Sequence, residues 1–477
     1  MTTPAVAERR PRRGPAVVVT ALVLGAAALA GTLLSASPSG APPAAAMPSS
    51  TPGAFDAAWY CAGATAASGG YADGQLIITN GSDRNVTGSV SVVPNQGAAH
   101  GTAVSLGPHS TGVVKESTVA TGPFVGAVVV LRGPETAVQQ VVSGPLGTTS
   151  APCSSRPSDA WYFAGGTTAR GVSLVLALFN PFPQDAVVDL SFATDAGPAA
   201  PGPFQGLFVP AGTLLTVDLG QHVVEQAHVS TTVVARVGRV VAQELQIDSR
   251  SGSAGISLAL GAAHPTGRWS FADGEVGPGL TEAYRIYDPG PRDADVEVDI
   301  TLDRGQIDPF HLHLAAGTES DLVASSEPRI PPGDAHSAVI RSLNGVGIVA
   351  SRAVTATSPA PHGGAAVDYG ATVAARHWVM PSGGPYADSD QWITVYNPSP
   401  VAASLSIVPL DGATAVGPVQ GILLAPGART ALRLSDHVDR ATASVLLDST
   451  VAVVAGRETY LADRNGIGLT PGVPFVG

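Results

Sequence analysis

Trp161-Tyr162-Phe163-Ala164-Gly165 opens a unit that the chain repeats. Trp59-Tyr60-Cys61-Ala62-Gly63 precedes it, and Trp269-Ser270-Phe271-Ala272-Asp273-Gly274 follows it. Trp378-Val379-Met380-Pro381 begins a fourth, more degraded copy. The four tryptophans lie 102, 108 and 109 residues apart, so the chain reads as a tandem array of four related units. Each copy carries an early turn at Asn80-Gly81, Asn180-Pro181, Asp288-Pro289 or Asn397-Pro398. A second turn follows at Pro108-His109, Pro210-Ala211-Gly212, Ala315-Ala316-Gly317 or Ala425-Pro426-Gly427. Asn or Asp before Gly or Pro starts turns because the short side chain bonds nearby backbone and proline presets φ.

Between turns the chain alternates apolar and polar residues, as in Val187-Val188-Asp189-Leu190-Ser191-Phe192-Ala193, the period of half-buried strands. Each copy closes on two β-rich runs split by a polar break, such as Val445-Leu446-Leu447 before Val451-Ala452-Val453-Val454. Helical signals are confined to Leu219 to Gln226 and Leu434 to Arg440, one turn each. The expectation is an all-β fold: four immunoglobulin-like antiparallel sandwiches over 54–158, 159–266, 267–375 and 376–477, packed into a stiff rod or arc. The rival is a β-propeller built from half-repeats, disfavoured because the two halves of a unit share no similarity.

Arg9, Arg10, Arg12 and Arg13 in the basic tail 1–15 precede an apolar stretch over 16–34. Nineteen residues of helix would span roughly 28 Å, close to a bilayer core. This predicts a membrane anchor with a cytoplasmic N-terminus and an external bulk, or a signal segment cleaved near Ala46 to release a secreted protein. Residues 35–53 read as a Pro/Ser/Ala linker. The net charge is −12, and −15 without the tail, which argues against a nucleic-acid partner. Cys61 and Cys153 are the only cysteines, placed where a disulfide would staple the first unit shut.

No catalytic motif, cofactor fingerprint or four-ligand metal set is present. His311 and His313 share one face of a strand but lack further ligands. Asp293, Asp295, Glu297, Asp299 and Asp303 alternate with apolar residues, as a solvated strand face does. Asn80-Gly81-Ser82 and Asn85-Val86-Thr87 match a glycosylation acceptor pattern. Trp59, Trp161, Trp269 and Trp378 read as core, and no cluster of Trp and Tyr marks a sugar cleft.

The Trp161 to Thr167 stretch, Leu176-Ala177-Leu178-Phe179-Asn180-Pro181 and Val209-Pro210-Ala211-Gly212 together resemble a bacterial extracellular repeat. On these motifs the chain over 59–477 is similar to actinobacterial secreted proteins of the domain-of-unknown-function family 5719. Its Val-Ala-Glu-Arg strand becomes Val241-Ala242-Gln243-Glu244 or Val454-Ala455-Gly456-Arg457 here. The resemblance implies a fold and a compartment, and no functional residue. The function expected is a non-catalytic structural or interaction protein of the cell envelope, with an envelope protein partner and no cofactor. The resemblance points to an accessory of membrane-bound glycan-assembly enzymes. The alternatives are a glycan binder, or a hydrolase whose carboxylates meet only in the fold.

Overall fold

The computed structural model describes residues 47–49, 56–250, 253–384, 386–462 and 465–475. They are all-β, with only single 3-10 turns such as Leu219–Gln221 and Leu434–Asp436. The second and third repeats each form two sheets that share a core, and in the first and fourth the corresponding strands join into one eight-stranded sheet. In the second, one sheet runs Gly197–Ala199, Ala186–Thr194, Val229–Val237, Ala160–Phe163. The other runs Thr213–Asp218, Val172–Asn180, Val241–Asp248, Gly255–Leu260. Trp161 of the first sheet and Leu176 and Leu178 of the second share one core.

The break between the two closing runs has a local cause. It holds Gly133, Gly238 and Gly345 in repeats one to three, at φ +152, +72 and +74. Glycine alone occupies that region without strain. The fourth copy has Asp448-Ser449-Thr450 there, so its strand runs unbroken as Val445–Leu461 and serves both sheets.

The repeats form a closed ring, which corrects the expected rod or arc. The last strand of each second sheet lies against its counterparts: Gly147–Pro152 on Gly255–Leu260, that on Gly364–Tyr369, that on Ile467–Pro471, and the last back on Gly147–Pro152. A bridge between Thr148 and Gly466 joins the first and fourth repeats directly. Four four-stranded sheets thus radiate from one axis, in a four-bladed propeller-like arrangement. The blade is one sheet from a whole repeat, not half a repeat. Small residues at the axis make this possible, because a Cβ on Gly255 would meet Ala365 at 3.1 Å and one on Gly468 would meet Ser150 at 2.6 Å.

The repeat signature has a packing logic in all four copies. Trp59, Trp161, Trp269 and Trp378 are at most 2% exposed. The indole N–H groups of Trp161 and Trp269 donate to Val240 O and Ile348 O, both at 2.8 Å. Asn180 Nδ2 donates to Gln184 O and Val209 O, while its Oδ1 accepts from Phe182 N. Asn80 and Asn397 repeat this pattern. Asn80 is therefore a buried turn cap with no free amide for a glycan. The Cys61–Cys153 disulfide joins the first strand of repeat one to the end of its axial strand.

The placement as a membrane-anchored or secreted protein is corrected. Among the described residues no helix is long and apolar enough to cross a membrane. The apolar stretch over 16–34, the tail, Ala46 and most of the linker lie outside the described residues.

Candidate ligand cleft between the third and fourth repeats

Repeats one, two and four each hand the first strand to the blade of the next, at the same position of the blade's third strand. Gly63 N donates to Gln243 Oε1 at 2.9 Å. Ser351 Oγ donates to Ala164 O at 2.7 Å, and Gln139 Nε2 to Ser382 O at 2.7 Å. Pairing register makes Gln139, Gln243, Ser351 and Gly456 equivalent: each lies opposite the last residue of its axial strand. Four junctions are therefore built on one plan and can be compared residue by residue.

That comparison isolates the junction of repeats three and four. Five residues before the capping Asn or Asp stand Gln75, Val175, Ala283 and Trp392. Their diagonal neighbours on the adjacent strand are Ser143, Ile247, Thr355 and Tyr460. Only the fourth repeat has aromatics at both positions. What lies over them also differs. Eight residues after its tryptophan the fourth repeat has Tyr386, whose hydroxyl lies 2.5 Å from Ser143 Oγ and 3.5 Å from Gln75 Nε2. The third repeat has Gly277 at that count from Trp269. A tyrosine thus covers the junction of repeats four and one, while a glycine leaves the equivalent space open over Trp392 and Tyr460. The result is a cleft of about 770 Å³.

Its floor is a buried charge network. Arg352 reaches Glu458 at 2.7 Å and Asp368 at 3.0 Å, and donates to Asp273 O. Arg429 pairs with Asp273 and, at 2.9 Å, with Asp303. Tyr460 donates to Glu458 at 2.8 Å and stacks on His362 with ring centroids 5.2 Å apart. Behind them His336 lies 2.9 Å from Glu282 and 3.1 Å from the Tyr284 hydroxyl. Burial and the neighbouring Glu458 charge hold Asp273 well above the usual carboxylate range, against the pull of Arg429 and Arg352. Burial would raise Glu282 as well, but His336 and Arg352 hold it low. The network can fix the floor and present polar edges. Among the described residues no group of His, Cys, Asp or Glu could hold a metal ion.

Two cleft residues are less constrained. Trp392 is half-buried, unlike the four repeat tryptophans. Glu275 is exposed on the wall, and among the described residues its carboxylate has neither hydrogen bond nor ion pair. A second hollow of about 540 Å³, with Arg268, Asp299, Arg341 and Tyr396, lies on the other side of the Asp303–Arg429 pair.

The residues singled out from sequence mostly lie elsewhere. His313 and His311 are exposed and face Asp295 at 2.9 Å and Glu297 at 3.8 Å across paired strands. Asp299 and Glu297 are paired with Arg341. The acidic run is a strand face balanced by its neighbours, and only Asp303 at its end reaches the cleft. The cleft residues were missed because they come from strands and loops spread from Asp273 to Tyr460. The readable signals were the fifth tryptophan, Trp392, and the glycine facing Tyr386 in the alignment of copies.

No curated protein matches the chain. Among solved structures, a Thermotoga maritima protein described as "Thermotoga maritima 1070" is 16% identical, with 22% of this chain and 93% of that one covered and a TM-score of 0.21. The Anabaena sensory rhodopsin transducer is 23% identical over 18% of this chain and 86% of its own, with a TM-score of 0.17. A tetra-tandem repeat from the extending region of a large adhesion protein covers 84% of this chain and 95% of its own at 11% identity and a TM-score of 0.11. A family model matches residues 132–384, which is 253 of the 477 residues, and on that match the chain belongs to the family of unknown function DUF5719.

Proposed function

We propose that this protein is a non-catalytic binding protein that takes a saccharide in the cleft between its third and fourth repeats. The observation that carries the reading is the half-buried Trp392 and Tyr460 pair, uncovered where the junction of repeats four and one is closed by Tyr386. Ligand sites are concave, with aromatic walls and a few fixed polar groups. A sugar ring offers a C–H face to an indole and hydroxyls to carboxylates and guanidinium groups. This favours the glycan-binding alternative over a passive scaffold, because the fold gathers aromatics that are scattered in the sequence.

The carboxylates support a binding role over hydrolysis. Glycosidases hold two carboxyls about 5–10 Å apart with the scissile bond between them. Asp273 and Glu458 are close enough to act on one another, and each is tied up by an arginine.

Trp392 supplies the test. As the one tryptophan that is not buried, it dominates iodide quenching of the intrinsic fluorescence. A panel of tetra- to hexasaccharides of differing sugar and linkage is titrated, and a binder protects Trp392 from quenching. Gly277→Tyr should close the cleft and abolish protection without lowering Tm, since a Cβ there meets nothing within 4 Å. No protection by any oligosaccharide, or protection unchanged in Gly277→Tyr, would sink the reading. Release of new reducing ends would overturn its non-catalytic part.

A further inference from the structure

We infer that the saccharide this cleft selects carries free amino groups. The inference rests on the cleft reading and concerns which sugars it takes. Five carboxyl groups line the cleft: Asp273, Glu275, Asp303, Asp390 and Glu458. Four are committed. Asp273 is held by Arg429 and Glu458 by Arg352, Asp303 is held by Arg429, and Asp390 by Arg433 at 2.9 Å. Among the described residues Glu275 has no such partner, and six residues after their tryptophans the other copies have Thr65, Thr167 and Gly384. A carboxylate at this position is therefore specific to this junction.

The surroundings leave Glu275 a demand for positive charge. Glu282 and Glu458 lie close enough to repel it, and the nearby cations Arg429 and His336 are engaged by Asp273 and Asp303 and by Glu282. An incoming ammonium group would meet this carboxylate in a concave wall, where the attraction is screened less than on an open surface. The aromatic wall adds to the preference, since an indole face attracts a cation as well as a sugar ring.

A second feature points to a sugar and not to a bare polyamine. Trp392 and Tyr460 line the cleft and are only partly buried, and an aromatic wall packs against a sugar ring better than against a thin amine chain. The occupant that satisfies Glu275 and the aromatic wall together is an oligosaccharide of amino sugars.

The experiment compares glucosamine tetramers to hexamers with their N-acetylated counterparts, alongside spermine, on the whole protein by calorimetry. The free-amine oligomer should bind at least tenfold tighter than the acetylated one, and the ratio should shrink as salt is raised. Glu275→Gln should cut that ratio at least fivefold with Tm unchanged, and Trp392→Phe should weaken both oligomers. Equal affinity for the two oligomers would overturn the amine preference and leave the saccharide reading standing. Binding of neither would remove both. Spermine binding as tightly as the amine oligomer would refute the sugar and leave only a cation trap.

Discussion

The ring of Phe163 occupies the space where a side chain on Gly261 would begin: a Cβ there would come within 2.8 Å of Phe163 Cζ. The same fit recurs between Phe271 and Gly370 and between Met380 and Gly472. In the first repeat the two positions are Cys61 and Cys153, joined to each other. One structural slot is thus filled in two chemical ways, by a large residue against glycine or by a covalent bridge.

Gly261→Ala should therefore destabilise by about 1–3 kcal/mol through overpacking. The slot also predicts a rescue. Cys61→Ser with Cys153→Ser should lose up to about 4–5 kcal/mol, the chain-entropy value for a closed loop of this length. Cys61→Phe with Cys153→Gly should recover a substantial part of it without any disulfide. Thermal melts of the two double variants decide this, and equal Tm values would show that the slots are not equivalent.

Asp288→Asn should raise stability by about 1–2 kcal/mol. Asp288 is fully buried and caps Gly290 N at 2.8 Å as its counterparts do, but its Oδ2 has no partner. Asn80, Asn180 and Asn397 use their amide nitrogen to bind two carbonyls. Burial raises the Asp288 pKa, so the gain should be larger at pH 8 than at pH 5. A lower Tm for the asparagine variant would show that Oδ2 is served some other way.

Stability should fall as pH rises from about 5 to 8. Burial pushes Glu116 and Glu244 up to about 8, and Glu319 up to about 7, from an ordinary 4.5. Between those values the folded chain holds protons that the unfolded chain has released, so raising the pH favours unfolding. Glu282 and Asp248 are shifted the other way, and their contribution is lost in acid. The maximum should lie near pH 5, and Glu116→Gln should flatten the decline. Melts across this range test the sign, and a Tm that climbs steadily to pH 8 would refute it.

Arg352→Met should cost about 3–5 kcal/mol, since it strands Asp368 and Glu458 in the interior without their cation. Adding Glu458→Gln should return part of the loss. A calorimetric trace in which the double variant is no more stable than Arg352→Met would argue against the pairing.

The sequence revealed the period, the turns and the disulfide, because each is a local signal repeated at a fixed spacing. Asn180 and Trp161 do the same job in every copy, so their recurrence is legible. Ring closure was not, since it depends on Gly147, Gly255, Gly364 and Gly466 converging on one axis, and a glycine at a strand end also fits an ordinary turn. The cleft was harder still. Its signature is a missing side chain, Gly277 in place of Tyr386, and a gap carries no residue pattern of its own. Trp392 stands outside the tryptophan period, so recurrence does not mark it.

Closing the ring leaves the chain without an end repeat. An open stack exposes two terminal faces that must be capped, and its outermost units fray first. Here every repeat has a neighbour on both sides, so the order of the four around the axis has no privileged start. Cutting the chain at the turn before Trp269 and joining the present termini should give the same ring.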